Sequence, residues 1–397
     1  MTDSASTSAW RAIAAATALN APLGSIYAYS VFLRPLESLL GLSRADLAFV
    51  FAVAACVFAV GMNLTPLAFG RAPAPVLALT CGALAAGGIA LAASAGGLRQ
   101  LAIGYGVLFG AGVGVAYILF QQIVNLTAVS RRGLVNGYLV SLLPLGAMLT
   151  APIFGWAIPR VGVRAALGWF ALVLALLGLV SAWLTWRSGV TLETATTAVR
   201  MTREERRAPV FWRLGLVFFL AASAGLLVLS QGAGMIAAYG GAAMLAVYGT
   251  TVITATVAAA RITGGWMVDT LPIPTVAAGA HAVSLAGTLA LTLWPGAGMA
   301  VLALALVGLG YGLISGITAG AIAVYWKRAF YGRVASRIYI AWSAAAIILP
   351  IIAGRLFDLT QGYGAAVLIA AGGNVLGILI ALGLPPRQPE RESSVLR

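Results

Sequence analysis

Twelve apolar runs, each about the length of a membrane span, follow one another along the sequence. A helix needs about 20 apolar residues to cross the hydrocarbon core. Backbone groups in lipid must also be satisfied internally, which favours helices over open strands. We therefore predict an all-α membrane protein with twelve transmembrane helices, near residues 11–32, 46–69, 75–97, 100–125, 133–158, 163–186, 210–236, 242–268, 274–294, 298–324, 334–356 and 363–384.

The composition excludes a water-soluble fold. Hydrophobic residues make up 61% of the chain and charged residues only 9%, against roughly a quarter charged in soluble domains. The net charge of +14 does not indicate nucleic acid, because the arginines form short clusters between apolar runs and no soluble module is long enough to present them. These clusters instead predict how the chain is oriented in the membrane.

The positive charges fall mainly on one side of the predicted spans. With the N-terminus inside, cytoplasmic segments hold 17 of the 24 Lys and Arg residues and outer segments hold six, which leaves Arg261 alone inside a span. Cytoplasmic loops collect such residues. We therefore predict an inner-membrane protein whose two termini are cytoplasmic, with the first apolar run kept as a helix rather than removed as a signal peptide.

A duplicated half accounts for the internal similarity of the sequence. The segment FGAGVG at 109–114 matches VGLGYG at 307–312, an offset of about 198 residues, and Pro75 and Pro152 match Pro274 and Pro350 near the same offset. We predict two pseudo-symmetric six-helix bundles, an arrangement found in secondary transporters that hold substrate between the halves. Glycines at these positions also fit close helix packing alone. The predicted domains are a bundle at 1–186, a cytoplasmic linker at 187–208, a bundle at 209–386 and a cytoplasmic tail at 387–397.

Five stretches carry a family resemblance. They are GSIYAYSVFLRPL at 24–36, SRRGLVNGYLVSLLPLGAMLTAPIFG at 130–155, GLLVLSQGAGMIA at 225–237, ARITGGWMVD at 260–269 and IAWSAAAIILPIIAGRLFD at 340–358. Together they resemble the major facilitator superfamily and, within it, the oxalate/formate antiporter family, a relative of the monocarboxylate transporters. The resemblance implies the major facilitator fold and transport of small organic anions. The loop GRAPAP at 70–75 departs from the superfamily pattern because it lacks the usual acidic residue.

Arg261 is the leading candidate for substrate binding. A charge inside a span costs several kcal/mol unless it faces a cavity or a partner, and the resemblance places the family's anion-binding arginine at this position. Its planar guanidinium can donate two parallel hydrogen bonds to a carboxylate. The alternatives are an arginine that reaches the interface or a structural pair with Asp269, which the resemblance makes a gating residue at the cytoplasmic end of the same span.

Aromatic and amide side chains in the spans expected to line the cavity complete the predicted site. Small-molecule sites are mostly apolar with a few placed polar groups. The family motifs place similar aromatic residues at Tyr27, Tyr117 and Trp342. For each of them, core packing or an interfacial position is an alternative. The candidates are Tyr27, Tyr117, Trp342, Gln121, Gln231 and Tyr311.

The charge pattern favours a monocarboxylate. The resemblance implies that relatives which exchange oxalate carry a second cation, a lysine, in the eleventh helix. That position falls near Ala345 here, and alanine cannot neutralise a second carboxylate. None of the ten Asp and Glu residues lies in the middle of a span, and His281 is expected to be a packing residue. The coupled species is therefore a proton carried by the acid itself or a counter-anion.

The predicted function is secondary transport of small monocarboxylates by alternating access, with the substrate carboxylate paired to Arg261. One alternative is a major facilitator exporter of neutral or hydrophobic solutes, as in drug efflux, and another is a non-transporting membrane sensor. No catalytic or metal-ligand spacing is found, so we expect no enzyme activity and no cofactor. The expected partners are the lipid bilayer and a small carboxylate, and the expected functional unit is a monomer.

Overall fold

The computed structural model describes residues 3–127, 129–192, 206–360 and 362–386. Within these ranges the regular structure is helical, apart from an isolated bridge between Phe69 and Ala72. We number the membrane-length helical segments of the described residues α1 to α12. They are α1 (Asp3–Leu23, continued by a 3-10 segment Gly24–Phe32 and the helix Leu33–Leu40), α2 (Arg44–Ala68), α3 (Ala74–Ala93), α4 (Leu98–Leu101, a π-helical segment Ala102–Phe109, and Gly110–Leu126), α5 and α6 (both within Arg132–Ser188), α7 (Ala208–Ala238), α8 (Ala243–Thr270), α9 (Ile273–Leu293), α10 (Ala297–Tyr325), α11 (Tyr331–Ile338 and Ile340–Thr360) and α12 (Gly364–Leu382).

The continuous helix Arg132–Ser188 contains two spans. Its 57 residues would extend about 86 Å if straight, far more than the roughly 30 Å of the hydrocarbon core. Gly162 has a φ of 79°, in the left-handed region that glycine adopts without a steric penalty, and the chain reverses there. Residues 132–161 form α5 and residues 163–188 form α6, so this connection contains almost no loop.

The helices match the predicted apolar runs. In the described part of the chain, nine helices, one of which is the bent α5–α6 helix, are long and apolar enough to cross a membrane. The first helix begins at Asp3, eight residues before the predicted start. Its polar extension packs on the end of α6, where the Ser8 hydroxyl and the Arg11 guanidinium donate to the backbone carbonyls of Ser188 and Arg187. Those carbonyls lie at a helix end and need partners from outside the helix, which explains why the helix begins early.

Matching glycines in the two halves support the pseudo-symmetry. A methyl group built on Gly112 of α4 would lie 2.8 Å from the Cys81 carbonyl oxygen of α3, and one on Gly310 of α10 would lie 2.5 Å from the Ala280 carbonyl oxygen of α9. In the same way, α4 packs closely on α2, and α10 packs closely on α8. The repeated glycines thus serve close helix packing, and they place α4 and α10 at equivalent positions in two six-helix bundles.

The predicted linker and tail lie largely outside the described residues. The helix α6 ends at Ser188 and α7 begins at Ala208, while 193–205 and 387–397 fall outside the described ranges. The proposed domain limits therefore remain predictions.

The two bundles meet at one end of the molecule. Across the boundary, α5 contacts α8 and α10, and α11 contacts α2 and α4. The helix ends involved adjoin the loop residues 69–73, 129–131, 271–272 and 326–330. This is the side that is predicted to hold most Lys and Arg residues. We call this the basic side, and the central cavity lies above it.

Candidate functional site

A narrow central cavity lies between the two bundles. Each of α1, α2, α4, α5, α7, α8, α10 and α11 contributes at least one lining residue, whereas α3, α6, α9 and α12 contribute none. The lining residues are Tyr27, Phe58, Met62, Tyr117, Val140, Phe218, Arg261, Tyr311, Ser315, Tyr339 and Trp342.

Arg261 is held in this cavity by two hydrogen bonds. Its side chain is 5% exposed, Nη1 donates to the Val140 carbonyl oxygen at 2.7 Å, and Nη2 donates to the Tyr311 hydroxyl at 3.1 Å. The Nε atom is buried without a hydrogen-bond partner among the described residues. A guanidinium has five N–H donors, and these two bonds leave the Nε donor without an acceptor among the described residues. The guanidinium is therefore directed at Val140 and Tyr311, not at Asp269 two turns away.

A proline explains why the Val140 carbonyl can bind Arg261. In an α-helix this carbonyl would accept the N–H of residue 144, but Pro144 lies inside α5 and proline has no N–H to donate. The carbonyl oxygen of Val140 is thus free of its helical partner and accepts Nη1 of Arg261 from the other bundle. The carbonyl oxygen that lacks a helical partner in α5 therefore forms a hydrogen bond between the two halves.

The Tyr311 hydroxyl joins Arg261 to Trp342. The indole Nε1 of Trp342 donates to this hydroxyl at 2.9 Å, and the guanidinium carbon of Arg261 lies 5.6 Å from the centre of the Tyr311 ring. Ser315 lies one helical turn further along α10, on the same face. Its hydroxyl is buried and has no hydrogen-bond partner among the described residues. The cavity wall beside Arg261 therefore carries the Tyr311 hydroxyl, which is held by hydrogen bonds, and the Ser315 hydroxyl, which has no partner among the described residues.

Glutamines of α4 close the cavity toward the basic side. The side-chain oxygen of Gln121 accepts hydrogen bonds from the hydroxyls of Tyr331 at 3.0 Å and Tyr339 at 3.1 Å. The side-chain oxygen of Gln122 accepts the N–H of Gly332 at 2.6 Å. Since α4 belongs to the first bundle and α11 to the second, these bonds form a polar floor that joins the halves.

The predicted site residues fall into three groups. Arg261, Tyr27, Tyr117, Tyr311 and Trp342 line the cavity together. Gln121 lies directly beneath it, within the polar floor.

The third group does not line the cavity. Gln231 lies on α7, where its side-chain oxygen accepts a hydrogen bond from the Tyr363 hydroxyl at 3.2 Å. His281 is buried between α9 and α12, with Nδ1 2.9 Å from the side-chain oxygen of Asn374. Asp269, the predicted gating residue, lies at the contact between α8 and α5, where its carboxylate accepts two backbone N–H groups.

Sequence reasoning did not find Phe58, Met62, Tyr339 or Ser315. Phe58 packs edge-on against Trp342, with the ring centres 5.7 Å apart, so these two bundles also touch through aromatic rings. The apolar members look like ordinary span residues in the sequence. Ser315 could have been found from its spacing of four residues after Tyr311.

No acidic side chain is among the described residues that line the cavity. Arg261 is therefore a full positive charge in a buried space whose other walls are aromatic, apolar or hydroxyl-bearing. A buried charge without a counter-charge is costly, and an anion entering the cavity would relieve that cost.

Two six-helix bundles around a central cavity define the major facilitator fold. The chain is similar to the solved structure of the proton:xylose symporter XylE bound to 6-bromo-6-deoxy-D-glucose, with 16% identity, a TM-score of 0.76, and coverage of 96% of this chain and 97% of that chain. It is also similar to FucP in the outward conformation, with 14% identity, a TM-score of 0.72, and coverage of 94% and 98%. Another FucP structure is described as the E. coli fucose:proton symporter.

These likenesses confirm the predicted major facilitator fold. No protein-family model matches the sequence, and no curated protein matches it. The narrower resemblance to the oxalate/formate antiporter family stays a prediction.

Proposed function

We propose that this protein is a secondary transporter of small monocarboxylates that works by alternating access in the inner membrane, with both termini in the cytoplasm. The observation that supports the proposal best is the buried guanidinium of Arg261, whose Nε has no partner among the described residues. Arg261 lines a cavity that has no acidic side chain among its described lining residues. Its free edge suits a single carboxylate, because Nε and one N–H of Nη2 can donate in parallel.

A single positive charge also favours one negative charge on the substrate. The cavity has no second cation among its described lining residues, and Ala345 is buried in α11 at the position where relatives that exchange oxalate carry a lysine. A dicarboxylate would leave one carboxylate poorly compensated in a dry site. We expect formate, lactate or pyruvate to bind better than oxalate.

The bundles contact each other on the basic side. If that side is cytoplasmic, as the charge distribution predicts, this state is closed toward the cytoplasm. Inward opening then requires breaking the polar floor at Gln121 and the contact between α5 and α8.

Uptake of labelled lactate into proteoliposomes tests the proposal. We expect saturable uptake by the unmodified protein, and uptake at the level of empty liposomes for Arg261→Gln. Arg261→Lys keeps the charge but loses the planar fork, so we expect its affinity to fall at least tenfold. The matched control is Arg99→Gln, which removes an exposed arginine outside the cavity and should transport normally. Normal lactate uptake by Arg261→Gln would overturn the proposal.

A neutral, hydroxyl-rich solute is the second candidate. The similar structures are of xylose and fucose symporters, and aromatic rings such as Tyr27, Tyr117 and Trp342 suit stacking on a sugar face. This candidate predicts uptake of xylose or fucose that survives Arg261→Gln. Ligand binding without any flux in the same liposomes would instead indicate a membrane sensor.

A further inference from the structure

The start of α11 is bound by a side chain of the other bundle. Gly332, the second residue of α11, donates its N–H to the side-chain oxygen of Gln122 on α4 at 2.6 Å. The side-chain nitrogen of Gln122 donates to the carbonyl oxygen of Arg328, in the loop just before α11, at 3.1 Å. Nη1 of Arg328 donates back to the Thr127 carbonyl oxygen, at the end of α4, at 3.1 Å. These hydrogen bonds join the end of α4 to the loop and the helix start of the second bundle.

Pseudo-symmetry relates this contact to the one that Asp269 makes. Gly133 and Gly332 are the second residues of α5 and α11, and the offset between them is the one that matches the prolines at the starts of α3 and α9. In one half, Asp269 accepts the N–H of Gly133. At the same offset the counterpart of Asp269 is Gly70, which has no side chain. The loop after α2 therefore offers α11 no carboxylate.

Gln122 supplies the acceptor that this loop lacks. A methyl group built on Gly332 would lie 2.8 Å from Cε2 of Phe69 and 3.0 Å from the side-chain oxygen of Gln122. Phe69 immediately precedes Gly70, so the loop does reach the start of α11 but presents an aromatic ring there. Gln122 is fully buried, and a buried amide is costly unless it is hydrogen-bonded. Its oxygen and its nitrogen both bond to the second bundle.

We propose that Gln122 is the positioning residue that closes the first bundle onto α11, in the role that Asp269 has in the other half. The inference rests on the proposed alternating access, in which the basic side opens in each cycle. The first N–H groups of a helix need acceptors from outside the helix, and a neutral amide supplies one without a carboxylate. Opening therefore separates a carboxylate from a helix start at α5, whereas at Gln122 it separates only amide and backbone groups.

Pulsed electron paramagnetic resonance distances test this proposal on the full chain. Spin labels at Arg187→Cys and Trp212→Cys replace exposed side chains at the end of α6 and the start of α7, one in each bundle on the basic side. Cys56 and Cys81 are replaced by serine. The distances are measured without substrate, so the result does not depend on whether a monocarboxylate is the solute that the protein carries.

Gln122→Leu keeps a side chain of similar length but cannot form either hydrogen bond. We expect the ratio of separated to joined bundles to rise about tenfold, since the Gly332 N–H and the Arg328 carbonyl both lose a partner. Asn125→Leu is the matched control, because it removes a buried amide of the same helix that bonds within the first bundle. It should lower the melting temperature and leave the distances unchanged. Unchanged distances in Gln122→Leu, or an equal change in Asn125→Leu, would overturn the proposal.

An acceptor restored on the loop after α2 separates a specific role from a general effect on packing. Gly70→Asp in the Gln122→Leu protein places a carboxylate at the position that matches Asp269, and we expect it to return the ratio to within about twofold of the unmodified protein. Gly70 has a φ of 75°, which aspartate adopts more readily than most residues. Gly70→Ala adds a side chain at the same backbone position without an acceptor and should rescue nothing. Failure of Gly70→Asp to rescue, or equal rescue by Gly70→Ala, would contradict the role assigned to Gln122.

Discussion

The carboxylate of Asp269, at the end of α8, accepts the backbone N–H of Gly133, at the start of α5, at 2.8 Å. Its other oxygen accepts the N–H of Leu134, also at 2.8 Å. The first N–H groups of a helix have no partner within the helix, and an anion there is also favoured by the helix dipole. One bundle thus caps a helix of the other.

Asp269→Asn should loosen the contact between the bundles on the basic side. An amide has one acceptor oxygen in place of two, and loss of a helix cap typically costs about 1 kcal/mol. We expect the ratio of separated to joined bundles to rise about fivefold. Pulsed electron paramagnetic resonance distances between labels at Arg71→Cys and Leu271→Cys would measure it, with Cys56 and Cys81 replaced by serine.

Asp46→Asn is the control for this experiment. Asp46 caps α2 through Ser43, within a single bundle, so its loss should lower the melting temperature without changing the distances between labels. Equal distance changes in both variants would contradict a specific role for Asp269.

Pro144→Ala should weaken substrate binding at Arg261. The new N–H of residue 144 would donate to the Val140 carbonyl and compete with Nη1 of Arg261, which leaves the guanidinium less well fixed. One hydrogen bond is worth about 1 kcal/mol, so we expect about a fivefold rise in the Kd for lactate, measured by ligand-induced thermal shift.

Pro152→Ala makes the same change in the same helix, but outside the central cavity. Its Kd for lactate should equal that of the unmodified protein. If the two proline variants lose affinity to the same extent, the effect comes from the shape of α5 and not from the Val140 carbonyl.

Ser315→Ala should change the preference between lactate and propionate, which differ by one hydroxyl. The Ser315 hydroxyl is buried without a described partner in the wall beside Tyr311, so a substrate hydroxyl can pair with it. We expect lactate affinity to fall about fivefold and propionate affinity to stay unchanged, in isothermal titration calorimetry.

Thr318→Val provides the comparison, because Thr318 is also a buried hydroxyl of α10 without a described partner but does not line the cavity. It should leave both affinities unchanged. An equal loss for lactate and propionate in Ser315→Ala would exclude recognition of the substrate hydroxyl.

The helices could be predicted from the sequence because the bilayer imposes a length on each apolar run. The duplicated glycines, such as Gly112 and Gly310, also predicted the two halves, since close packing needs the same small residue in both copies. The early start of α1 could not be predicted, because it depends on carbonyls at the end of α6 that the sequence does not bring near Ser8.

The candidate site could be predicted in part. Arg261 can be predicted because an arginine inside a span is rare, and aromatic residues such as Trp342 can be predicted through family motifs. The role of the Val140 carbonyl could not be predicted, because any residue type can supply a backbone acceptor. The one signal in the sequence is Pro144, four residues later, which has no N–H to bond that carbonyl oxygen. The sequence predicts Gln231 in the cavity because it lies on α7, which does contribute to the cavity. Its side chain, however, lies further along that helix.

The hydrogen bond from Arg261 to Val140 has a kinetic consequence for the proposed transport cycle. It tethers the empty protein across its two halves, so the unloaded form must break this bond before it can reorient. A carboxylate bound at Nε and Nη2 partly neutralises the guanidinium, which weakens the Nη1 bond to Val140 and lowers that barrier. One-for-one exchange should therefore be faster than net flux, and preloading liposomes with unlabelled lactate should accelerate the entry of label.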